Sequence, residues 1–246
     1  MITVVSRPAP LEIDLEQAAV LVIDMQNDFG APGGMFDRAG IDISGIRAAA
    51  AATAHVIAAA RAATVPVVYI TMEHPADLSN AGPIDGPHLL KHAPLGVGDE
   101  VPAPDGTSGR ILVSDTWNTQ VLDELEPRAG DSRVVKHRYS GFFQTDLDEI
   151  LRQFAAKYLI VTGCTTSICV ESTVRDAMFR DYTCLVIEDC TAEPIGDDLP
   201  RTNHEASLLN IELLFGWVAD SAALIDAMTL DAGVPAPSGE HQPPPA

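Results

Sequence analysis

The sequence predicts an α/β fold, with a central parallel sheet and helices on both faces. Three observations carry that expectation. Five short runs rich in Val and Ile recur along the chain without alternating polarity, as strands buried on both faces do. Helical segments separate them, and strands alternating with helices build βαβ units. The chain has 246 residues, 46% of them hydrophobic and 20% charged, which suits one globular domain. That domain is expected over 1–232. The remainder, 233–246 (GVPAPSGEHQPPPA), reads as a poorly ordered tail rich in Pro and Gly.

The first strand is expected at Ala18–Asp24 (AAVLVID), an apolar run ending in a carboxylate. An Ala-rich helix follows at Ser44–Ala63. Arg47, Thr53, His55 and Arg61 interrupt its apolar surface, so it does not read as a membrane span. Pro66–Thr71 (PVVYIT) is the second strand. Met72–Asn118 is rich in Gly, Pro and His, and a loop of that length is expected to be a lid or binding loop. A short helix is expected at Thr119–Leu125 and the third strand at Arg133–Lys136. A helix over Asp146–Ala156 starts after Thr145, a good N-cap residue. Tyr158–Gly163 (YLIVTG) and Thr183–Glu188 (TCLVIE) are strands four and five, with a helix at Ser167–Asp181 between them. Helices at Asn203–Phe215 and Ser221–Met228 close the fold.

Charge and cysteine content narrow the function. Fifteen basic residues against 35 acidic ones give a net charge of −20. Such a surface repels phosphate backbones and anionic lipid, so neither nucleic acid nor membrane is an expected partner. Four cysteines (Cys164, Cys169, Cys184 and Cys190) do not make a disulfide scaffold, and no paired CxxC spacing suggests structural zinc. The opening MITVVSRPAPLEIDLE lacks a basic segment followed by an apolar one, so a cytoplasmic location is expected.

In open α/β sheets, ligands bind outside the carboxyl ends of the strands. The first strand ends in Asp24 and the third in Lys136. The fourth runs into Gly163-Cys164-Thr165-Thr166-Ser167-Ile168-Cys169, where a helix begins. Each has a bland reading. Asp24 suits a loop cap, and Lys136 suits an amine that snorkels outward. Cys164, Cys184 and Cys190 are read as small buried apolar residues. Cys169 differs, because a helix N-terminus and a nearby ammonium both favour its thiolate. Together the three types describe covalent acyl transfer. A thiolate attacks a carbonyl, a carboxylate takes the thiol proton and returns it to the departing amine, and a lysine holds both charges. Backbone N–H groups at the helix start would receive the oxyanion.

VIDMQNDF (Val22–Phe29), the strand-end Lys136 and GCTTSICVESTVRDAMFRDY (Gly163–Tyr182) together resemble the isochorismatase-like cysteine hydrolase family. The likeness covers roughly Glu16–Met228. It implies a Rossmann-like three-layer fold and a catalytic triad of Asp24, Lys136 and Cys169. It also implies a cis peptide at Cys164–Thr165, an oxyanion hole from the N–H groups of Thr165 and Cys169, and a homo-oligomer. No cofactor is expected. KHRYSGFFQTDLDEIL, CVESTVRDAMF, FGWVADS and GGMFDRAGID look most like ureidoacrylate amidohydrolases. YITMEHPADLSNAG lacks the Asn and Trp those enzymes carry, and looks closer to hydrolases of biuret and related ureides. The expected substrate is therefore a small linear ureide or amide.

Gln26, Phe29, Trp117 and Tyr139 are the candidate substrate-binding residues. Tyr139 is expected to face the pocket because it lies three residues beyond Lys136. Glu73-His74, His88 and His92 match the Asp-and-two-His metal site of nicotinamidase relatives only in part. They are read as solvated loop histidines, with no metal expected. Lys136, His137 and Arg138 are a candidate positive site for an anionic substrate, although the negative surface favours a neutral one. Arg175 and Asp176 suggest an ion pair or a subunit contact. His204 and Glu205 are expected to lie away from the three motifs. Two other functions stand beside the leading one. Family members that cleave the vinyl ether of isochorismate lack the cysteine, so Cys169 argues against that chemistry. A non-catalytic binding module on the same scaffold is the other.

Overall fold

The structure is a computed structural model and describes residues 1–231. The expected tail, 233–246, lies outside the described residues. Strands β1 (Ile2–Val4) and β2 (Leu11–Ile13) form an antiparallel hairpin with alternating burial, which the sequence does not announce. Strand β3 (Ala18–Ile23) is followed by short helices α1 (Asn27–Gly30) and α2 (Met35–Arg38) and by the long α3 (Ser44–Ala62). Next come β4 (Val67–Met72), α4 (Pro87–His92), a small hairpin of β5 (Glu100–Pro102) and β6 (Ser108–Arg110), and β7 (Ser132–Lys136). Helix α5 (Leu147–Gln153), β8 (Tyr158–Cys164), α6 (Glu171–Met178), β9 (Thr183–Ala192) and α7 (Asn203–Asn210) come after it, then β10 (Trp217–Ala219) and α8 (Ser221–Asp231).

Six strands make one parallel sheet in the order β10-β9-β8-β3-β4-β7. The α/β expectation holds, and β10 adds a sixth strand too short to stand out in the sequence. All six residues of β3 are buried because both faces are covered. Val20 and Val22 join a core with Ile46, Ala50 and Ile57 of α3 and Leu224 of α8. Ala19, Leu21 and Ile23 point into the opposite core, with Leu147 of α5, Val174 of α6 and Leu208 of α7. Each fully buried Val or Leu contributes about 1.5–3 kcal/mol.

The chain winds from β3 outward through β4 to β7, then returns to the other side of β3 as β8 and continues outward. The strand order therefore reverses between β3 and β8, where a crevice opens at the carboxyl edge. The β3–β8 pairing there depends on Gly163. Its φ is +130°, and a Cβ would stand 2.1 Å from the Ile23 carbonyl oxygen.

Thr119–Leu125 is not one continuous helix: a single 3-10 turn covers Asp123–Leu125. Before it, the Asn27 N–H donates to the Gln120 carbonyl (2.9 Å) and the Leu122 N–H to the Met25 carbonyl (3.0 Å), so bonds to the segment after β3 take the place of helical ones. Helix α5 starts at Leu147 rather than Asp146, and Thr145 Oγ1 accepts the Leu147 N–H at 3.3 Å. The Met72–Asn118 segment is not structureless, since α4 and the β5–β6 hairpin lie within it.

Candidate active site

Asp24 stands one residue beyond β3, with φ of +52°. Its N–H donates to the Ile70 carbonyl of β4 at 2.8 Å, fixing the turn that directs the carboxylate along the sheet edge. Lys136 is the last residue of β7, opposite Met72 of β4. Its side chain does not snorkel outward. It is fully buried, with Nζ 2.8 Å from Asp24 Oδ2. The same Nζ donates to Cys169 Sγ at 3.4 Å and to the Arg138 carbonyl at 3.2 Å. Cys169 lies in a wide helical turn (Thr166–Val170) that leads into α6. The structure therefore gathers a carboxylate, an ammonium and a thiol from three remote stretches at the switch point. Of the three, Asp24 and Lys136 are fully enclosed and Cys169 retains 5% exposure.

Burial raises the Asp24 carboxyl above its ordinary range, against the Lys136 charge and a hydrogen bond from Cys169. Burial would lower Lys136, but Asp24 and Cys169 together outweigh it and hold the amine protonated. Burial, then the Asp24 charge, push the Cys169 thiol well up, and Lys136 offsets only part of this. The expectation of a resting thiolate is corrected accordingly. The helix N-terminus and one ammonium do not overcome desolvation beside a carboxylate. Burial and the Asp24 charge thus favour the thiol form of Cys169 beside the Lys136–Asp24 pair.

The turn carrying Cys169 is braced from several sides. The Cys164–Thr165 peptide is cis. Glu193, just beyond β9, accepts from Ser167 N (3.0 Å) and Ser167 Oγ (2.5 Å) through one carboxylate oxygen. Thr173 Oγ1 donates to the Cys169 carbonyl at 2.7 Å. His204 was expected to lie elsewhere, yet its Nδ1 is 2.9 Å from Thr166 Oγ1, because α7 packs against the turn. Neither Glu193 nor His204 carries a sequence signal, since each reaches the turn only through tertiary packing.

The candidate substrate-binding residues divide. Gln26 is fully buried, and both ends of its amide are engaged by the Met72 backbone. Its Nε2 donates to the carbonyl at 3.0 Å and its Oε1 accepts the N–H at 2.8 Å. It ties two loops together, in place of the expected contact with substrate. Phe29 packs edge-on against Phe36 at 5.0 Å within the core, which likewise corrects its expected role. Trp117 is half-buried against the same core, and its carbonyl accepts from Asn27 Nδ2 at 2.8 Å. Tyr139 is half-buried beside Cys169 and Lys136, and burial, with Cys169 adding and Lys136 opposing, pushes its phenol up.

The histidine expectation is also corrected. His74 and His92 are buried and His88 is half-buried, so they are not solvated. Lys136, His137 and Arg138 do not form one positive site. Lys136 faces Asp24, His137 Nε2 meets Gln144 Oε1 at 3.2 Å, and Arg138 Nη1 donates to the Asn80 carbonyl at 2.8 Å. Arg175 pairs with Glu171 rather than Asp176, which accepts from Ser140 Oγ and Arg180. Among the described residues, no group of three His, Cys, Asp or Glu side chains is placed to hold a metal ion.

Comparison with known proteins agrees with this fold. A model of the isochorismatase domain matches residues 18–223. The chain is similar to a cysteine hydrolase from Pseudomonas syringae pv. phaseolicola 1448A. That likeness has 27% identity and a TM-score of 0.75, over 89% of this chain and 96% of the other. It is also similar to an isochorismatase family protein from Desulfovibrio vulgaris subsp. vulgaris str. Hildenborough, with 26% identity and a TM-score of 0.68, over 87% and 98% of the two chains. A third likeness is to N-carbamoylsarcosine amidase from Thermoplasma acidophilum, with 26% identity and a TM-score of 0.61, over 83% and 96%. With its domain match spanning the parallel sheet and all three edge residues, the chain belongs to the isochorismatase family.

Proposed function

We propose that the protein is a cysteine amidohydrolase that cleaves the carbamoyl C–N bond of a small linear ureide through an acyl-enzyme on Cys169. The observation that carries this reading is Lys136 Nζ placed 2.8 Å from Asp24 Oδ2 and 3.4 Å from Cys169 Sγ. Asp24, its basicity raised by burial, takes the thiol proton as Sγ attacks the carbonyl carbon. Lys136 stays protonated and balances the charge that moves between carboxylate and sulfur. The N–H groups of Thr165 and Cys169 receive the tetrahedral oxyanion. The C–N bond then breaks, and Asp24 returns its proton to the leaving nitrogen. Water, deprotonated by Asp24, attacks the thioester and frees the acid product and the thiol.

The similarity to N-carbamoylsarcosine amidase supports a carbamoyl substrate. The motif flanks support a ureidoacrylate-like molecule, and the segment after β4 supports biuret or triuret. No step requires a cofactor. Isochorismate cleavage is not favoured, because it leaves Cys169 without a role. The test is ammonia release from ureidoacrylate, biuret, triuret and simple primary amides by wild type, Cys169→Ala and Cys169→Ser. Loss of the nucleophile should lower turnover by about a thousandfold or more. Undiminished turnover in Cys169→Ala sinks the proposal and leaves the binding-module reading.

A further inference from the structure

The histidines between β4 and β7 share a feature that packing does not explain. His88 and His92 lie one turn apart on α4, with ring centroids 4.2 Å apart, and His74 lies 6.0 Å from His88. Tyr139 sits 5.6 Å from His88 and 5.7 Å from His92. Its neighbour Arg138 gives the carbonyl that Lys136 Nζ contacts at 3.2 Å. His74 reaches the same edge from β4, because the Glu73 N–H bonds the Lys136 carbonyl at 2.9 Å.

The partners of these rings set their tautomers. A carbonyl oxygen only accepts, so the ring nitrogen facing it must carry the proton. His74 Nδ1 meets Asn80 Oδ1 at 2.6 Å, His88 Nδ1 meets the Ala81 carbonyl at 3.2 Å, and His92 Nδ1 meets the His88 carbonyl at 2.8 Å. In a neutral ring the remaining Nε2 is then an acceptor. His74 Nε2 and His88 Nε2 are buried with no partner at all. Burial, followed for His74 by the opposing Asn80 bond and then by neighbouring positive groups, holds these rings neutral. Arg138 does not answer the lone pairs through Nη1, which donates to the Asn80 carbonyl (2.8 Å) and the His137 carbonyl (2.6 Å). It braces the loop that orients His74.

Resting on the hydrolase reading above, we propose that His74, His88 and His92, with Tyr139, form the recognition wall of the Cys169 site and select neutral, N–H-rich ureides over ureides bearing a carboxylate. Buried lone pairs without donors lose hydrogen-bond energy until a ligand supplies N–H groups. A linear diamide such as biuret carries N–H groups on both sides of each carbonyl. A carboxylate offers only further lone pairs, which the Nε2 atoms repel.

The experiment compares kcat/KM for biuret and for ureidoacrylate in wild type, His74→Phe and His88→Phe. Wild type should favour biuret by about tenfold or more. Each substitution should cut biuret turnover by about tenfold and narrow the preference, as expected when an acceptor is removed from a buried donor. A wild-type preference for ureidoacrylate overturns the inference, as does an unchanged ratio in both variants. Should buried His74 not tolerate Phe, the half-buried His88 position carries the test alone. Stoichiometric Zn²⁺ binding by the intact protein, lost in His88→Phe, also overturns it, because the lone pairs would then be metal ligands. Acid-quench mass spectrometry separates the two levels of the argument. A Cys169 adduct formed from carboxylated ureides alone defeats this inference and leaves the hydrolase standing. No adduct and no turnover with any amide removes the hydrolase and this inference with it.

Discussion

At Asp24 one carboxylate is asked to act as base while lying 2.8 Å from an ammonium in a fully enclosed position. Its charge opposes ionisation of Cys169, whereas Lys136 favours it. Removing the charge should therefore separate reactivity from catalysis. In Asp24→Asn, iodoacetamide should label Cys169 faster than in wild type at about pH 7.5, because the remaining neighbour is cationic. Amide turnover should nevertheless vanish, because no base remains. Slower labelling of the variant, read by intact mass, would contradict the assigned electrostatics. Lys136 has a different signature. Lys136→Met leaves Asp24 buried without its partner, which costs about 3–5 kcal/mol when the carboxylate must stay charged. Urea unfolding at about pH 8 should show that loss, which should shrink at about pH 5, because a carboxyl with a raised affinity for protons can become neutral.

Helix α4 concentrates acid sensitivity. His88 is held at about 4 against an ordinary 6.5, chiefly by burial and then by the charges of His92 and Arg138, with His74 adding a smaller effect. The folded chain thus binds fewer protons than the unfolded chain between those values. The stability this confers is complete above pH 6.5 and is lost as pH falls toward 4. Thermal unfolding midpoints measured from about pH 7 down to about pH 4 should fall in wild type and fall less steeply in His88→Gln. Equal slopes would place the acid sensitivity elsewhere. The same element shows what a sequence hides. The strands β3, β4, β8 and β9 are legible because burial on both faces demands unbroken Val and Ile, and the ends of β3 and β8 lead to Asp24 and Cys169. Strand β7 is expected to be buried on both faces too, but it lies at the sheet edge with Arg133 and Val135 exposed, and only its inward face carries Val134 and Lys136. The three residues of β10 (Trp217–Ala219) are too few to register as a run. The hairpin of β1 and β2 alternates over only three residues per strand. His74, His88 and His92 occupy a segment of polar, turn-forming composition, and nothing local says that it folds inward. Gln26 and Phe29 depart from expectation for a related reason. Adjacency to Asp24 in the chain does not decide which way a side chain points.

At the scale of the molecule, the net charge of −20 surrounds a site whose recognition wall is neutral. No helix among the described residues is long and apolar enough to cross a membrane. Large apolar side chains nevertheless remain open near the end of α6 and the turn after α7. Phe179 is 69% exposed, Leu213 64% and Leu214 67%. Exposed apolar side chains of this size are where the expected homo-oligomer would make contact. Light scattering after size exclusion should show an oligomer that Leu213→Asp with Leu214→Asp reduces to a smaller species. A wild-type monomer at micromolar concentration would refute the assignment.

The link between Gln26 and Met72 bears on how such a molecule can diversify. Both bonds reach peptide groups, so the side chain at position 72 is irrelevant to the clasp. The clasp therefore holds the end of β4 beside the turn after β3 whatever side chain stands at position 72. Further along the segment the side chains do matter, because Glu73 bonds Thr71 and Arg133, and Asn118 bonds the buried Asp28.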